Sequence, residues 1–237
     1  MEPVKITVQN LSTVMTDERA AIVVAALNTQ LTTEYGASCW VTQGLSAPAS
    51  AEFIPKGEPL PAGTWHIELL DTSDQQGALG YHEDRAFDAQ SAGPKKASMH
   101  SSRGLRADAP ETPLAKVFVK TTMEANEHPG EVLSHEACEM CVDPNVTRSV
   151  RTVINPAKKQ KVIVEVGDPV QGCGYQIGDV WVADFALPAW FGYPQLVNPT
   201  QMSWRSSVTE PFELAPNGYI SVAPEGTEEW SQVFGGQ

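Results

Sequence analysis

A chain of 237 residues is long enough for one large domain or two small ones, and with 41% hydrophobic residues it can bury a sizeable core. The formal net charge of −13 at pH 7 makes nucleic acid a poor partner, because the phosphate backbone is itself an anion. There is no run of about 18 apolar residues, so we expect no membrane-spanning helix. The first residues also lack the basic segment and the apolar core of a secretion signal.

The first predicted elements are a strand and a helix. Residues 4–10 alternate in polarity, as a half-buried strand does. Thr16 or Asp17 then caps a helix that continues to Tyr35 and stops at Gly36. The predicted core face of this helix consists of Ile22, Val23, Ala26, Leu27 and Leu31.

Short strands follow this helix. Residues 38–42, 51–55 and 64–71 are predicted strands, bounded by Pro and Gly. His66 lies in the last of them, and we expect it to pack or to face solvent rather than to bind a metal.

A polar insertion separates two further extended segments. A Gly-rich stretch at 76–83 comes before it, and a predicted strand at 113–120 comes after it. Residues 84–113 carry no hydrophobic periodicity. A loop of this length is uncommon in a compact domain, and such loops are often functional.

The segment that ends at Pro144 carries the most chemistry. Ser134 can cap a helix here or occupy its first turn, and Pro144 ends the helix because proline cannot continue it. His135 and Glu139 are four residues apart, so they stack on one face of the helix. Glu136 lies about 100° around the helix from His135, near the rim of the same face.

This layout is that of the H-E-x-x-H helix of metallopeptidases, with the second His replaced by Glu. His135 and Glu139 can grip one metal ion, and Glu136 can act as general base by taking a proton from a water molecule on that metal. A plainer interpretation is a polar stripe in which His135 and Glu139 merely pair, because a Glu four residues after a His is common on solvated helices.

The four cysteines do not form a recognisable zinc or redox motif. Cys138 and Cys141 fall inside the predicted helix, where a thioredoxin-like motif would not lie. Cys39 and Cys173 are too far apart to be the second pair of a zinc knuckle. We therefore expect Cys138 and Cys141 to pack as small buried apolar side chains.

The chain beyond the helix is rich in strands and coil. Residues 161–166 are a predicted strand, and residues 174–187 form a predicted hairpin that turns at Gly178. We expect an α+β fold in which residues 1–144 form an α/β part and residues 145–237 form a β/coil part that completes the same domain.

This order of elements resembles the zincin metallopeptidases, particularly their metzincin-like members. The resemblance implies a mixed sheet with a backing helix, and an edge strand that lies above the active-site helix and pairs with a peptide substrate. Residues 78–82 or 117–120 would be that edge strand. The chain departs from the family in having Glu139 in place of the second His. It also lacks the Gly and the His or Asp with which metzincins bring their third ligand.

Most of the chain outside the insertion is also similar to a family of uncharacterised proteins from tailed phages and their bacterial hosts, for which no reaction is established. The similarity rests on residues 77–82, 117–120, 134–144, 165–168, 182–191, 211–214 and 218–220. It implies a virion component, with other virion proteins as partners and a location in the virion or in the host cytoplasm.

The third metal ligand must come from elsewhere in the chain. Asp143 is too far along the helix, because eight residues rise about 12 Å and two side chains reach a shared ion over only about 8–9 Å. We expect Asp143 to close the helix or to bind backbone instead. The resemblance to zincins that take a downstream Glu favours Glu165, with Asp168 and Asp184 as alternatives. His82 can also approach from the edge segment.

A His with two carboxylates is a harder ligand set than the usual zinc site. It would take Zn²⁺, but it would discriminate less against Mn²⁺, Ca²⁺ or Mg²⁺. The second anionic ligand also makes water on the metal a weaker acid, so weak or absent peptidase activity is compatible with an intact fold.

Three functions are compatible with these features. The first is a zincin-like metallopeptidase that binds a metal through His135, Glu139 and Glu165, uses Glu136 as general base and cleaves a peptide or protein substrate. The second is a non-catalytic virion component of the capsid or tail on the same scaffold, which the acidic composition and the long polar insertion favour. The third is an α+β domain in which His135 and Glu139 only pair.

Overall fold

The computed structural model describes residues 1–84, 112–152, 159–193 and 201–236. Over these residues the chain has a mixed α+β fold, as predicted. Residues 85–111 of the predicted insertion lie outside the described residues. None of the helices in the described part is long and apolar enough to cross a membrane.

A five-stranded mixed sheet forms the amino-terminal part. Its strands are β1 (Val4–Asn10), β2 (Ala49–Ile54), β3 (Trp65–Leu70), β4 (Gly80–Asp84) and β5 (Pro113–Phe118). Across the sheet the order is β2-β1-β3-β5-β4. The first four strands in this order run parallel, whereas β4 runs antiparallel to β5.

Strand β4 is the edge of this sheet next to the candidate site. Among the described residues it pairs only with β5. The predicted segment at 78–82 therefore overlaps an edge strand, although the observed strand spans Gly80–Asp84. The alternative at 117–120 is wrong, because β5 lies between β3 and β4 and residues beyond Phe118 enter a helix.

The two faces of the sheet differ in polarity, as the alternation along β1 predicts. Val8 and Ile67 are register partners and join the hydrophobic core. Thr7 and His66 are the neighbouring pair, and Thr7 Oγ1 lies 3.3 Å from His66 Nδ1. His66 is thus a packed side chain, as predicted.

Helix α1 (Asp17–Thr29) begins where the sequence predicts. Thr16 Oγ1 accepts the Arg19 N–H at 3.2 Å, which satisfies one of the unpaired amides at the helix start. The helix then widens into a π-helical stretch, Gln30–Tyr35. The predicted core face is buried except for Ile22, which is 47% exposed and was wrongly placed on that face.

Two short helices occupy segments for which the sequence predicted something else. Helix α2 (Cys39–Thr42) replaces a predicted strand, and helix α3 (Val119–Glu124) replaces the end of the predicted strand and a polar link. Short apolar runs do not distinguish strand from helix, so tertiary contacts decide between them. In α2 the deciding contact is Trp40, which is fully buried and donates from Nε1 to the Ala186 carbonyl at 2.8 Å.

The carboxyl-terminal part contains a hairpin and a second sheet. The hairpin consists of β8 (Tyr175–Ile177) and β9 (Val180–Val182), and it turns at Gly178 as predicted. The four strands of the sheet, all antiparallel, are β6 (Ser149–Thr152), β7 (Gln160–Ile163), β10 (Tyr219–Pro224) and β11 (Ser231–Phe234). Strand β7 ends at Ile163, before the predicted end at residue 166, so Glu165 lies just beyond the sheet.

Candidate metal centre

Helix α4 (Pro129–Val142) carries the predicted ligand pair and begins earlier than the sequence prediction. Pro129 occupies its first turn, where the missing N–H costs nothing. The predicted start at Ser134 is wrong, because Ser134 is buried within the helix. Its hydroxyl donates to the Glu131 carbonyl at 3.1 Å and accepts the Ala183 N–H at 2.6 Å.

One face of α4 packs into the core, and the other carries the polar groups of the candidate site. The apolar face is buried against α1, β5 and β9 and includes Leu133, Ala137 and Met140. Cys138 and Cys141 lie among these residues as free, buried thiols, which confirms their predicted packing role. The remaining face turns the carboxylate and imidazole groups towards β4 and the segment that follows β7.

His135 and Glu139 meet as predicted. His135 Nε2 lies 3.2 Å from Glu139 Oε1, and the same nitrogen lies 3.3 Å from Asp168 Oδ1. Asp168 opens a single 3-10 turn, Asp168–Val170. This turn therefore brings a second buried carboxylate to the His135 imidazole.

Gly167 lies against both His135 and Glu139 and allows these two side chains to meet. Its N–H donates to Glu139 Oε1 at 3.1 Å. A Cβ at this position would lie 2.5 Å from His135 Nδ1, closer than real Cβ contacts come. Only glycine therefore lets the backbone pass so close to the imidazole ring.

A second imidazole, that of His82 on β4, lies on the opposite side of Glu139. His82 Nδ1 is 3.3 Å from Glu136 Oε2 and 3.6 Å from Glu139 Oε2. His82 Nε2 lies 3.1 Å from the Asp143 backbone carbonyl. The edge strand thus contributes a nitrogen ligand to the site, as expected for a His82 that approaches from the edge segment.

The predicted trio of His135, Glu139 and Glu165 is divided between two donor groups. One group consists of His135, Glu136 and Glu139, and the other of His82, Glu139 and Glu165. Within each group the candidate ligand atoms all lie within 4.8 Å of one another. Glu139 belongs to both, because Oε1 faces His135 and Oε2 faces His82.

Two other carboxylates considered from the sequence bind backbone instead. Asp143 accepts the N–H groups of Thr147 and Arg148 at 3.0 and 2.6 Å, as predicted for a residue that closes the helix. Asp184 accepts the N–H groups of Phe185 and Arg205 at 2.8 and 2.9 Å. Neither carboxylate belongs to the two donor groups.

Glu136, the predicted general base, lies against the edge strand. Its Oε2 faces His82, and a Cβ on Gly80 would lie 2.9 Å from its Oε1. Gly80 is therefore the β4 residue that leaves room for this carboxylate. Glu136 itself is 6% exposed.

The centre places four carboxyl groups around two imidazoles. If Glu136, Glu139, Glu165 and Asp168 are all ionised, two negative charges remain in excess even with both rings protonated. Burial raises the pKa of Glu139, and the charges of Glu165 and Glu136 raise it further, whereas His135 opposes the rise. Carboxylates buried in this way are unfavourable unless they are paired, protonated or bound to a cation.

Both imidazoles respond to this negative field. Burial by itself would lower the pKa of His82, but the hydrogen bond with Glu136 and the charge of Glu139 outweigh it and raise this pKa to about 9. Burial likewise opposes protonation of His135, yet the charge of Glu139 and the contact with Asp168 raise its pKa well above the ordinary value. The site therefore has a strong affinity for positive charge.

These donors fit a divalent metal ion. Imidazole nitrogen and carboxylate oxygen are common protein ligands for Zn²⁺, and oxygen-rich sets also suit Mn²⁺, Mg²⁺ and Ca²⁺. The structure thus brings together buried His and Glu groups that could bind a metal ion, and the donor types do not single out zinc.

Comparisons with protein-family models, with curated proteins and with solved structures find no match to this chain. Inference about its function therefore rests on the geometry of this centre.

Proposed function

We propose that this protein is a zincin-like metallohydrolase that cleaves a peptide or protein substrate. The observation that carries the proposal is the His135–Glu139 pair on α4, with Nε2 and Oε1 3.2 Å apart, beside the antiparallel edge strand β4. The sheet order and the presence of α1 and α4 in the same core are compatible with a zincin-like arrangement.

Three residues would hold the catalytic metal. His135 and Glu139 supply one nitrogen and one oxygen from adjacent turns of α4. Asp168 belongs to neither donor group, and it is the proposed third ligand because its Oδ1 lies 3.3 Å from His135 Nε2. Glu165, the third ligand expected from the sequence, belongs to the other donor group, with His82 and Glu139. Zn²⁺ is the proposed ion, and when bound it would act as a Lewis acid.

Glu136 is the proposed general base. Its Oε2 is held by His82, which leaves Oε1 directed at Gly80 on the edge strand. A substrate strand that pairs with the edge of β4, which has no second partner strand among the described residues, would pass beside this oxygen. Glu136 can therefore accept a proton close to a peptide bond that β4 aligns.

Replacement of Glu136 by Gln tests the base. Glu136→Gln keeps the shape of the side chain but removes its ability to take a proton, so hydrolysis of a peptide library should be lost. Elemental analysis and thermal unfolding should show unchanged metal content and folding. Normal cleavage by this variant would overturn the mechanism.

Glu131→Gln is the matched control. Glu131 is on the same helix, but its carboxylate lies against Gly174, outside the two donor groups. The same chemical change there should leave hydrolysis unchanged. A loss of activity in both variants would indicate damage to the helix rather than loss of a base.

A non-catalytic role as a virion component remains the second candidate. The burial of the site favours this second candidate, because the side chains of Glu136 and Glu139 are only 7% and 4% exposed. A metal held there would tie α4 to β4 and to the turn at Asp168. Purified particles should then contain the chain in a fixed copy number, and the metal-loaded protein should cleave no peptide. Absence from particles would remove this candidate.

A further inference from the structure

The contacts of His82 on its Glu139 side require a positive species at Nδ1, which is either a proton or a cation. His82 Nε2 lies 3.1 Å from the Asp143 carbonyl oxygen. A carbonyl oxygen can only accept, so Nε2 carries the hydrogen. In the neutral ring Nδ1 is then an acceptor with its lone pair directed into the site.

That lone pair faces other acceptors. Glu136 Oε2 lies 3.3 Å from Nδ1 and Glu139 Oε2 lies 3.6 Å from it. Glu165 also belongs to this group, with ligand atoms within 4.8 Å. Acceptors arranged around one point repel one another unless a positive species lies between them, which is either a proton on Nδ1 or a cation.

We infer that His82, Glu139 and Glu165 form a second divalent-cation site, which shares the Glu139 carboxylate with the His135 site. The inference deepens the proposed function, since it turns a centre for one metal into a centre for two.

The orientation of His82 is that of a metal ligand. Ligating histidines almost always donate their other ring N–H to a carbonyl, carboxylate or water, which fixes the tautomer. The Asp143 carbonyl does this for His82, whose side chain is only 2% exposed. Asp143 is the residue that closes α4, so the end of the helix sets the direction of Nδ1.

The Glu139 carboxylate has the geometry of a bridge. Its Oε1 lies 3.2 Å from His135 Nε2, and its Oε2 lies 3.6 Å from His82 Nδ1. Each oxygen thus serves a different imidazole. Two-metal hydrolases use such shared carboxylates to hold ions about 3.5–4 Å apart.

Charge also favours two ions over one. The four carboxylates of the centre would balance two divalent cations with both imidazoles neutral. With only one ion, on the His135 side, His82 Nδ1 would still need a proton to face Glu136 and Glu139. One His with two carboxylates is a hard ligand set, so the second site should accept Mn²⁺ as well as Zn²⁺.

Metal stoichiometry tests the second site. The full chain would be stripped with chelator, reloaded with Mn²⁺ and freed of excess ion, and its metal content and its EPR spectrum would be measured. We expect about two Mn²⁺ per chain with the spectrum of a coupled pair. Glu165→Gln and His82→Gln should each bind about one ion and lose the coupling, whereas the matched surface variant Glu210→Gln should keep both.

The outcomes separate this inference from the proposed function. One ion that is retained in Glu165→Gln and lost in His135→Ala would leave the metallohydrolase standing and overturn the second site in favour of a proton on His82. One ion that is lost in Glu165→Gln but kept in His135→Ala would overturn the His135 site instead. No bound ion would overturn both. If His82→Gln fails to fold, Glu165→Gln still decides, because Glu165 is only partly buried.

Discussion

The two sides of Glu139 are built in different ways. The His135 side is largely local, because two of its groups are four residues apart on α4. The His82 side is assembled from the edge strand, the helix end and the segment after β7. It is also more enclosed, since the side chain of His82 is 2% exposed and that of His135 is 14% exposed. A helix can thus present half of a site by spacing alone, whereas the other half requires the finished fold. We expect the His82 side to exchange its ion more slowly.

The largest effect should come from Glu139→Gln, which acts on both sides at once. The variant keeps an oxygen for the Gly167 N–H but removes the shared charge. We expect loss of all tightly bound metal, and with it about 4 kcal/mol of stabilisation per ion at a free concentration a thousand times the Kd.

The metal-free protein should respond in the opposite way. Burial disfavours the Glu139 carboxylate, so a neutral amide should leave metal-free stability unchanged or raise it. Chemical denaturation with and without Zn²⁺ measures both effects. A variant that is less stable without metal and still binds it would contradict a shared ligand.

The metal-free protein should lose stability as pH rises. His82 faces Glu136, Glu139 and Glu165, and its pKa in the folded state is about 9, above the ordinary value of 6.5. A raised pKa means that this stabilisation is complete below pH 6.5 and is lost as pH approaches and passes 9, by an amount on the order of 3 kcal/mol. The raised pKa of His135 acts in the same direction.

Unfolding free energies of the chelated protein between pH 6 and 9.5 check this, with His82→Gln as the comparison. The slope should be shallower in that variant. Loading with metal should remove the fall in the parent protein, because the cation replaces the proton. A flat profile in the chelated parent would show that His82 is not paired with these carboxylates.

Two glycine substitutions should separate the two sides with smaller effects. In Gly167→Ala the new Cβ would meet the His135 ring at 2.5–2.7 Å. In Gly80→Ala it would meet Val132 Cγ1 at 2.7 Å and Glu136 Oε1 at 2.9 Å. Overpacking of this kind costs about 1–3 kcal/mol. Gly167→Ala should weaken metal binding at His135, whereas Gly80→Ala should mainly reduce hydrolysis by displacing Glu136.

Gly130→Ala controls for overpacking itself. Its Cβ would meet the Trp181 carbonyl at 2.6 Å, at the start of α4 and outside both donor groups. It should lose comparable stability and keep its metal, as calorimetry and elemental analysis would show. Equal loss of metal in all three variants would mean that any disturbance of the helix empties the centre.

Several features of this protein follow from short stretches of sequence. The alternation of residues 4–10, the Thr16 cap and the turn at Gly178 each depend on neighbouring residues, and the structure agrees with all three. The pairing of His135 with Glu139 follows from the helical repeat alone. The exclusion of Asp143 as a ligand follows from the rise per residue.

Segments whose conformation depends on remote contacts were not predicted correctly. Residues 39–42 are helical where Trp40 enters the core and bonds Ala186, and the sequence there reads equally well as a strand. The helix start at Pro129 was missed because Pro129 and Gly130 resemble the end of a polar link and Ser134 resembles a cap. The spacing of residues within a short segment does not indicate which remote residues the segment will contact in the core.

The sequence by itself determined the chemistry of one helix face, and only the tertiary structure decided which groups complete it. Glu165 and His135 are both near Glu139, but they belong to different donor groups. Asp168 reaches His135 because Gly167 lets the chain pass close to the ring. These placements depend on how β7, β4 and α4 pack together. Such packing brings residues of remote sequence position within a few ångströms, and helical periodicity carries no information about it.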